Sequence, residues 1–201
     1  WLTFDKPRAS ANSLSRAAME QLDERLREVE QRQPAGLVIV SAKSGFIAGA
    51  DVSEFGQVRE PSEAVPSIRA AHSVLQRLED LPFPTVAAIN GYCLGGGLEL
   101  AMACRHRVCA DDPKVVLGLP EVMLGIHPGF GGTVRAVRLV GVATAMDLML
   151  TGRNLRPDKA LQAGFVDQVV PAGSLREAAK ALPMSKRVLI TLGVASQWKY
   201  R

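Results

Sequence analysis

The sequence predicts a single α/β domain, and three observations carry that expectation. Two short runs, Leu37-Val38-Ile39-Val40 and Thr85-Val86-Ala87-Ala88-Ile89, are apolar throughout except for the leading Thr85, as strands buried on both faces of a parallel sheet are. Each follows a segment with apolar residues at helical spacing, so helix and strand alternate. The chain has 201 residues, 47% of them hydrophobic and 22% charged, which suits one domain with a sizeable core. No internal repeat of roughly 20–50 residues is evident, which argues against a solenoid.

Taken in order, Leu2 to Phe4 reads as a short extended start. Asn12 and Ser13 offer caps to an amphipathic helix in which Leu14, Met19, Leu22, Leu26 and Val29 recur at helical spacing. Pro34 and Gly36 end it ahead of the first buried strand. Gly45 to Asp51 is a glycine-rich loop, and Phe55 to Pro66, with two prolines and many polar residues, reads as irregular and suited to a mobile lid. A second helix is expected from Ser67 to Glu79, stopping before Pro82 and Pro84. After the second buried strand, Gly91 to Gly97 turns the chain into a helix through Leu98, Leu100, Met102 and Ala103. Arg107 to Ala110 and Val115 to Leu117 are strand-like. The loop Gly125 to Gly132 precedes helical Val134 to Leu139 and Ala143 to Leu150. Asp158 to Ala163 is a short helix ended by Gly164, and Phe165 to Val170 a closing strand. Val188 to Val194 fits strand or helix equally.

Composition excludes several function classes. The net charge is +4, but the basic residues lie mostly in the N-terminal third and the tail, without aromatic interleaving or a reader motif, so no nucleic-acid partner is expected. No apolar run approaches the roughly 18 residues a membrane span needs. Cys93, Cys104 and Cys109 are odd in number and form no C-x-x-C pair, which indicates neither a disulfide framework nor a zinc site and favours a cytoplasmic location. His72, His106 and His127 lack metal-ligand spacing, so no metal is expected. The chain opens at Trp1 without an initiator Met and without a secretory h-region, so it is expected to be a piece of a longer or processed protein.

Three segments carry candidate chemistry. The first is Asn90-Gly91-Tyr92-Cys93-Leu94-Gly95-Gly96-Gly97-Leu98-Glu99, a strand passing through three glycines into a helix. Bare backbone at a helix N-terminus offers unpaired N–H groups of favourable dipole sign, suited to a developing oxyanion, with Glu99 about one turn along. A phosphate-loop reading fails because Gly97 and Leu98 stand where Lys and Ser or Thr are required. A dinucleotide fingerprint fails at Leu100. Alone, the glycine run is a weak signal and reads first as a tight-packing device. The second segment, Phe46-Ile47-Ala48-Gly49-Ala50-Asp51, follows the first buried strand with small residues and is placed to bring another N–H to the same ligand. In the third, Leu119 to Gly132, Glu121 lies among apolar residues before a glycine-rich bend. Its alternative reading is a helix cap or buried ion pair. A serine hydrolase is disfavoured because no G-x-S-x-G elbow is present.

Together these segments, in this order and at these intervals, resemble the signature of the crotonase, or enoyl-CoA hydratase/isomerase, family. The run Gly125-Ile126-His127-Pro128-Gly129-Phe130-Gly131-Gly132-Thr133-Val134-Arg135 resembles in particular the hydratase half of bacterial multifunctional fatty-acid oxidation α subunits. The likeness covers the chain nearly through Pro171.

The resemblance implies a crotonase-like spiral of β-β-α units over residues 1–181, with residues 182–201 unassigned and the family's C-terminal helices truncated or missing. It implies hydration of 2-enoyl-CoA thioesters in fatty acid β-oxidation, with Glu99 and Glu121 as the catalytic acids. The peptide N–H groups of Ala50 and Gly96 match the family's oxyanion hole. Ala48, Gly49, Leu94, Gly95 and Gly129 fall in segments that line the substrate path, and Asp51 is better read there as fixing the loop than as a catalyst. Isomerases of the family generally keep only the later acid, so an isomerase ranks second, and a non-catalytic acyl-CoA-binding module is the alternative from another class. No cofactor is implied in this segment, since CoA belongs to the substrate and NAD would serve only a following 3-hydroxyacyl-CoA dehydrogenase. Implied partners are the acyl-CoA thioester, a second copy of the chain, or a thiolase subunit.

Overall fold

A computed structural model describes residues 1–57 and 60–182 of the chain. The strands are β1 (Leu2–Phe4), β2 (Leu37–Ser41), β3 (Thr85–Ile89), β4 (Cys93–Leu94), β5 (His106–Asp111), β6 (Leu117–Gly118), β7 (Asn154–Leu155) and β8 (Gln168–Pro171). The helices are α1 (Arg16–Arg32), α2 (Pro61–Asp80), α3 (Gly96–Ala103), α4 (Gly132–Val140), α5 (Val142–Thr151), α6 (Pro157–Ala163) and α7 (Leu175–Ala181).

Five strands form an all-parallel sheet in the order β1-β2-β3-β5-β8. Its central strands are the predicted apolar runs: β3 is buried at every residue, and Leu37 to Val40 of β2 are buried throughout. A second sheet, β4-β6-β7, is very short, and Ile47 joins its edge through a single parallel bridge to Cys93. The chain therefore makes the same passage three times. It leaves β2, β3 and β5 in turn, crosses to Ile47, β4 and β6 respectively, and then enters α2, α3 and α4. This is the expected β-β-α spiral. The repeat is invisible in the sequence because the turns differ in length, α2 having 20 residues and α3 only 8.

Several local expectations are corrected. Ser15, not Asn12 or Ser13, caps α1, its Oγ accepting from Ala18 N at 3.2 Å. Asn12 is 1% exposed, and its amide donates to the Phe4 and Phe46 carbonyls and to Ser41 Oγ while its Oδ1 accepts from Lys6 N. A buried amide satisfied on both ends staples β1 and β2 to the following loop rather than capping a helix. Leu14 is buried but precedes α1, bridged in parallel to Ala50.

The segment read as a lid is largely ordered into helix. Val52–Gln57 is a 3₁₀ turn, and α2 starts at Pro61, six residues before the expected Ser67. Pro61 sits at the first helical position, where its missing N–H would be unpaired anyway, and Glu60 and Glu63 form a reciprocal capping box. Pro66, the last residue of the segment read as irregular, lies inside the helix and removes only one backbone bond.

The turn between β3 and α3 contains the unpredicted β4. The strand read at Val115 to Leu117 starts at Leu117, because Val115 is held in a turn by its N–H to Asp112 O. Likewise β8 begins at Gln168; Phe165 and Val166 are buried ahead of it. Helix α7, also unpredicted, packs on β3 and β5. The ambiguous Val188 to Val194 and most of the unassigned tail lie outside the described residues.

Candidate active site

Each of the three passages delivers a different group just after its second strand: a backbone amide at Ala50, a backbone amide at Gly96, and a carboxyl at Glu121. The short sheet sets their positions. Leu94 N donates to Ile47 O at 3.1 Å and Gly95 N to Gly118 O at 2.9 Å, so the three chain segments are held side by side.

Around Ala50, Leu14 N donates to Gly49 O at 2.8 Å and Asp51 N to Leu14 O at 3.1 Å. In a parallel bridge of this kind the middle residue turns its own N–H to the opposite side. Among the described residues no acceptor takes the Ala50 N–H, and none takes that of Gly96, the first residue of α3, whose N–H has no intrahelical partner. The two amides are close: a Cβ on Gly96 would lie 3.3 Å from Ala50 N, and one on Gly49 would lie 3.9 Å from Gly96 N. Gly95 makes the geometry possible with φ +50°, ψ −127°, a conformation left to glycine.

Glu99, one turn into α3, is 2% exposed, and its Oε1 accepts from Phe130 N at 2.8 Å and Gly132 N at 2.6 Å. Burial pushes its carboxyl up to about 7, the nearby Glu121 charge adds to the rise, and the two amides and Arg135 oppose it. Glu121, in the 3₁₀ segment Pro120–Leu124, is 9% exposed, and burial raises its carboxyl above the usual range as well. Its Oε2 is buried without a hydrogen-bond partner. Its Oε1 borders the glycine turn, 3.0 Å from where a Gly95 Cβ would sit. Phe130 closes the same space, its ring 3.2 Å from a Cβ on Gly96.

The remaining predicted residues divide. Gly49 and Gly95 are buried beside the two amides, Leu94 is half-buried, and Ala48 is exposed with its N–H spent on Asn12 O. Gly129 lies in the turn that holds Glu99, its carbonyl bonded to His72 Nε2 at 2.7 Å. Asp51 is fully engaged in fixing its loop: Oδ2 accepts from Lys6 Nζ at 2.6 Å and Ser13 Oγ, and Oδ1 from Ser53. Its bonds to Lys6 and Ser53 hold that carboxyl well below the usual range. Sequence reasoning gave no role to Arg135 or His72, which tie the turn 129–132 from outside. An arginine next to Ala136 on the buried face of an amphipathic helix was the available signal for the first; His72 gave none.

A family model described as enoyl-CoA hydratase/isomerase matches residues 1–187. The chain belongs to the enoyl-CoA hydratase/isomerase family. Among curated relatives it is 48% identical, over 98% of its own length, to the fatty acid oxidation complex subunit alpha of Aliivibrio fischeri. It spans only 29% of that protein. Among solved structures, the enoyl-CoA hydratase of Bacillus anthracis superposes with a TM-score of 0.83 at 36% identity, covering 90% of this chain and 70% of that one. The Pseudomonas aeruginosa protein DspI superposes with the same score at 32% identity, over 90% of this chain and 68% of its own. The family assignment and the crotonase fold thus agree with the three-passage architecture. Among the described residues no helix is long and apolar enough to cross a membrane.

Proposed function

We propose that this chain hydrates 2-enoyl-CoA thioesters, adding hydroxide at Cβ and a proton at Cα. The observation that carries the reading is the meeting of two unpaired amides, at Ala50 and Gly96, with two buried carboxyls whose proton affinities are raised. Addition at Cβ pushes negative charge onto the thioester oxygen, and preorganised N–H donors stabilise it by about 2.7–4 kcal/mol each in such sites. In this reading Glu99 and Glu121 orient one water and take its proton, and Glu121 supplies the proton at Cα. The unpartnered Oε2 of Glu121 supports that role, since a buried carboxyl oxygen without a partner calls for a proton, a water or a substrate atom. Two neighbouring acids also disfavour double ionisation, which leaves one proton available at neutral pH.

The substrate path runs past Gly49, Gly95, Leu94 and Gly129, with Ala48 at its exposed end and Asp51 setting the loop. The functional unit is residues 1–181. Acid–base chemistry and electrostatics suffice for hydration, so we assign this segment no metal and no cofactor. The similarity to a complex subunit more than three times as long as the matched stretch supports a multifunctional setting, which we place in the cytoplasm. There an NAD-dependent 3-hydroxyacyl-CoA dehydrogenase would follow on the chain and a thiolase subunit would assemble with it. A natural gene product of about 700 residues, several domains of ordinary size, fits that setting; one of about 250 does not.

Crotonyl-CoA tests the reaction directly. The absorbance of the conjugated thioester falls on hydration, and Glu99→Gln and Glu121→Gln are each expected to fold and to lose turnover by at least about 100-fold. Isomerisation without uptake of oxygen from labelled water would assign the chain to the other activity of its family.

A further inference from the structure

Glu99 is held by a turn, and that turn is held from behind. We propose that Arg135, locked in place by Glu79, is a positioning residue for the Glu99 carboxyl; the inference rests on Glu99 taking part in the reaction. Arg135 stands on α4 and is 9% exposed, an unusual place for a guanidinium unless its donors are spent. Two of them are: Nε donates to Glu79 Oε2 of α2 at 2.8 Å, and Nη1 to the Phe130 carbonyl at 3.1 Å. Phe130 presents its own N–H to Glu99 Oε1, so one residue is gripped by Arg135 on its carbonyl and by Glu99 on its amide.

Gly131 is what lets the guanidinium reach under the turn. A Cβ there would lie 2.4 Å from Nη1, and its φ of +101° already favours glycine. A bond tying α4 to α2 for stability alone would need only the Glu79 arm; the second arm ends one residue from the acid. His72 fixes the same turn from α2 through Gly129 O. The charged groups that act on Glu99 are Glu121 from the segment after β6 and Arg135 from α4; beyond them His127 faces Glu121, Glu79 of α2 holds Arg135, and His72 of α2 holds the turn. Of these Arg135 favours the ionised form of Glu99 and Glu121 opposes it.

The test uses the full natural chain and crotonyl-CoA, with kcat and KM measured from pH 5 to 10. Arg135→Met is expected to lower kcat by about 10–100-fold, the scale of a misplacement near 1 Å, with KM moving far less. The pH at which the Glu99 limb of the profile is half-developed should also rise, because a positive charge and two aligned amides that favour the carboxylate are weakened together. Arg135→Lys keeps the charge but not the two-armed fork, and should lower kcat while leaving that limb near its wild-type position. A folded Arg135→Met enzyme with wild-type kcat and an unmoved limb overturns the proposal. If Arg135→Met does not fold, Glu79→Ala decides: it frees one arm of Arg135 and should reduce kcat, and a wild-type profile overturns the proposal. Glu99→Gln, run alongside, separates the two ideas. Wild-type turnover in that variant would sink the hydration mechanism itself, whereas an inactive Glu99→Gln beside a normal Arg135→Met sinks only the positioning role.

Discussion

Replacing Glu99 by Gln should make the protein less active and should improve its stability relative to wild type as the pH rises through neutrality. In the unfolded chain this carboxyl loses its proton near 4.5; in the folded protein burial delays the loss to about 7. Between those values the folded state binds the additional proton, so the group's contribution to stability is fully present below 4.5 and disappears as the pH rises through 7. The distance between the two values corresponds to about 3 kcal/mol at 1.36 kcal/mol per pH unit. Gln has no proton to lose, and its side-chain carbonyl can accept the same two N–H bonds from Phe130 and Gly132. Any cost of burying its NH₂ group is the same at every pH and cancels when conditions are compared. The stability of Glu99→Gln relative to wild type should therefore rise by about 3 kcal/mol between pH 4.5 and pH 8, or about 6–12 °C in melting temperature for a domain of this size. Urea unfolding followed by circular dichroism at several pH values measures it. A difference that stays flat across this range would mean that the buried carboxyl ionises as it does in the unfolded chain, and the reasoning about the site's acids would fail.

Three further outcomes follow from close approaches and ion pairs. A Cβ at Gly132 would lie 2.9 Å from Glu99 Oε1 and 3.0 Å from its Cγ, so Gly132→Ala displaces the acid from both amides and should cut kcat about 100-fold with little change in KM; unchanged turnover of crotonyl-CoA would contradict the placement. At Gly97 a Cβ would meet Ile47 O at 2.4 Å and Ile47 Cβ at 2.9 Å, so Gly97→Ala should destabilise by about 1–3 kcal/mol, read as a lower urea midpoint, and a wild-type midpoint would contradict the tight helix–loop contact. Asp51 is held ionised by Lys6 and Ser53 well below the usual carboxylate range, so its contribution is present at neutral pH and lost as the pH falls. Asp51→Asn should thus lower the melting temperature at pH 7, with the deficit narrowing below about pH 4; a deficit independent of pH would refute that account.

The sequence disclosed what depends on periodicity and composition. β2 and β3 announce themselves because both faces are buried, and the turn at Gly95 to Gly97 because only glycine suits its approach to Ile47 and Glu121. The candidate site's four groups were legible through three segments that each follow a strand. What escaped was long-range. β4 and β7 have two residues each, too few for any pattern, and β6, equally short, was read with its start displaced, yet together they align the three segments. Asn12 looks like a cap until its partners at Phe4, Ser41 and Phe46 are known, because capping and stapling use the same amide. Pro66 closes the segment read as irregular, but one lost backbone bond in a 20-residue helix is outweighed by the packing of Ala71, Val74, Leu75 and Leu78. His72 acts on a turn that neighbours it only in space, and Arg135, five residues past Phe130, reaches back to that turn with a side chain whose direction no local pattern shows.

The central claim is that one thioester oxygen sits between two chain segments about fifty residues apart, and a crystal structure with a bound 3-hydroxyacyl-CoA tests it most directly. The account predicts that oxygen at about 2.7–3.1 Å from both the Ala50 and the Gly96 nitrogens, with the 3-hydroxyl between Glu99 and Glu121. A thioester oxygen bonded elsewhere, with either amide facing away from it, would contradict the account.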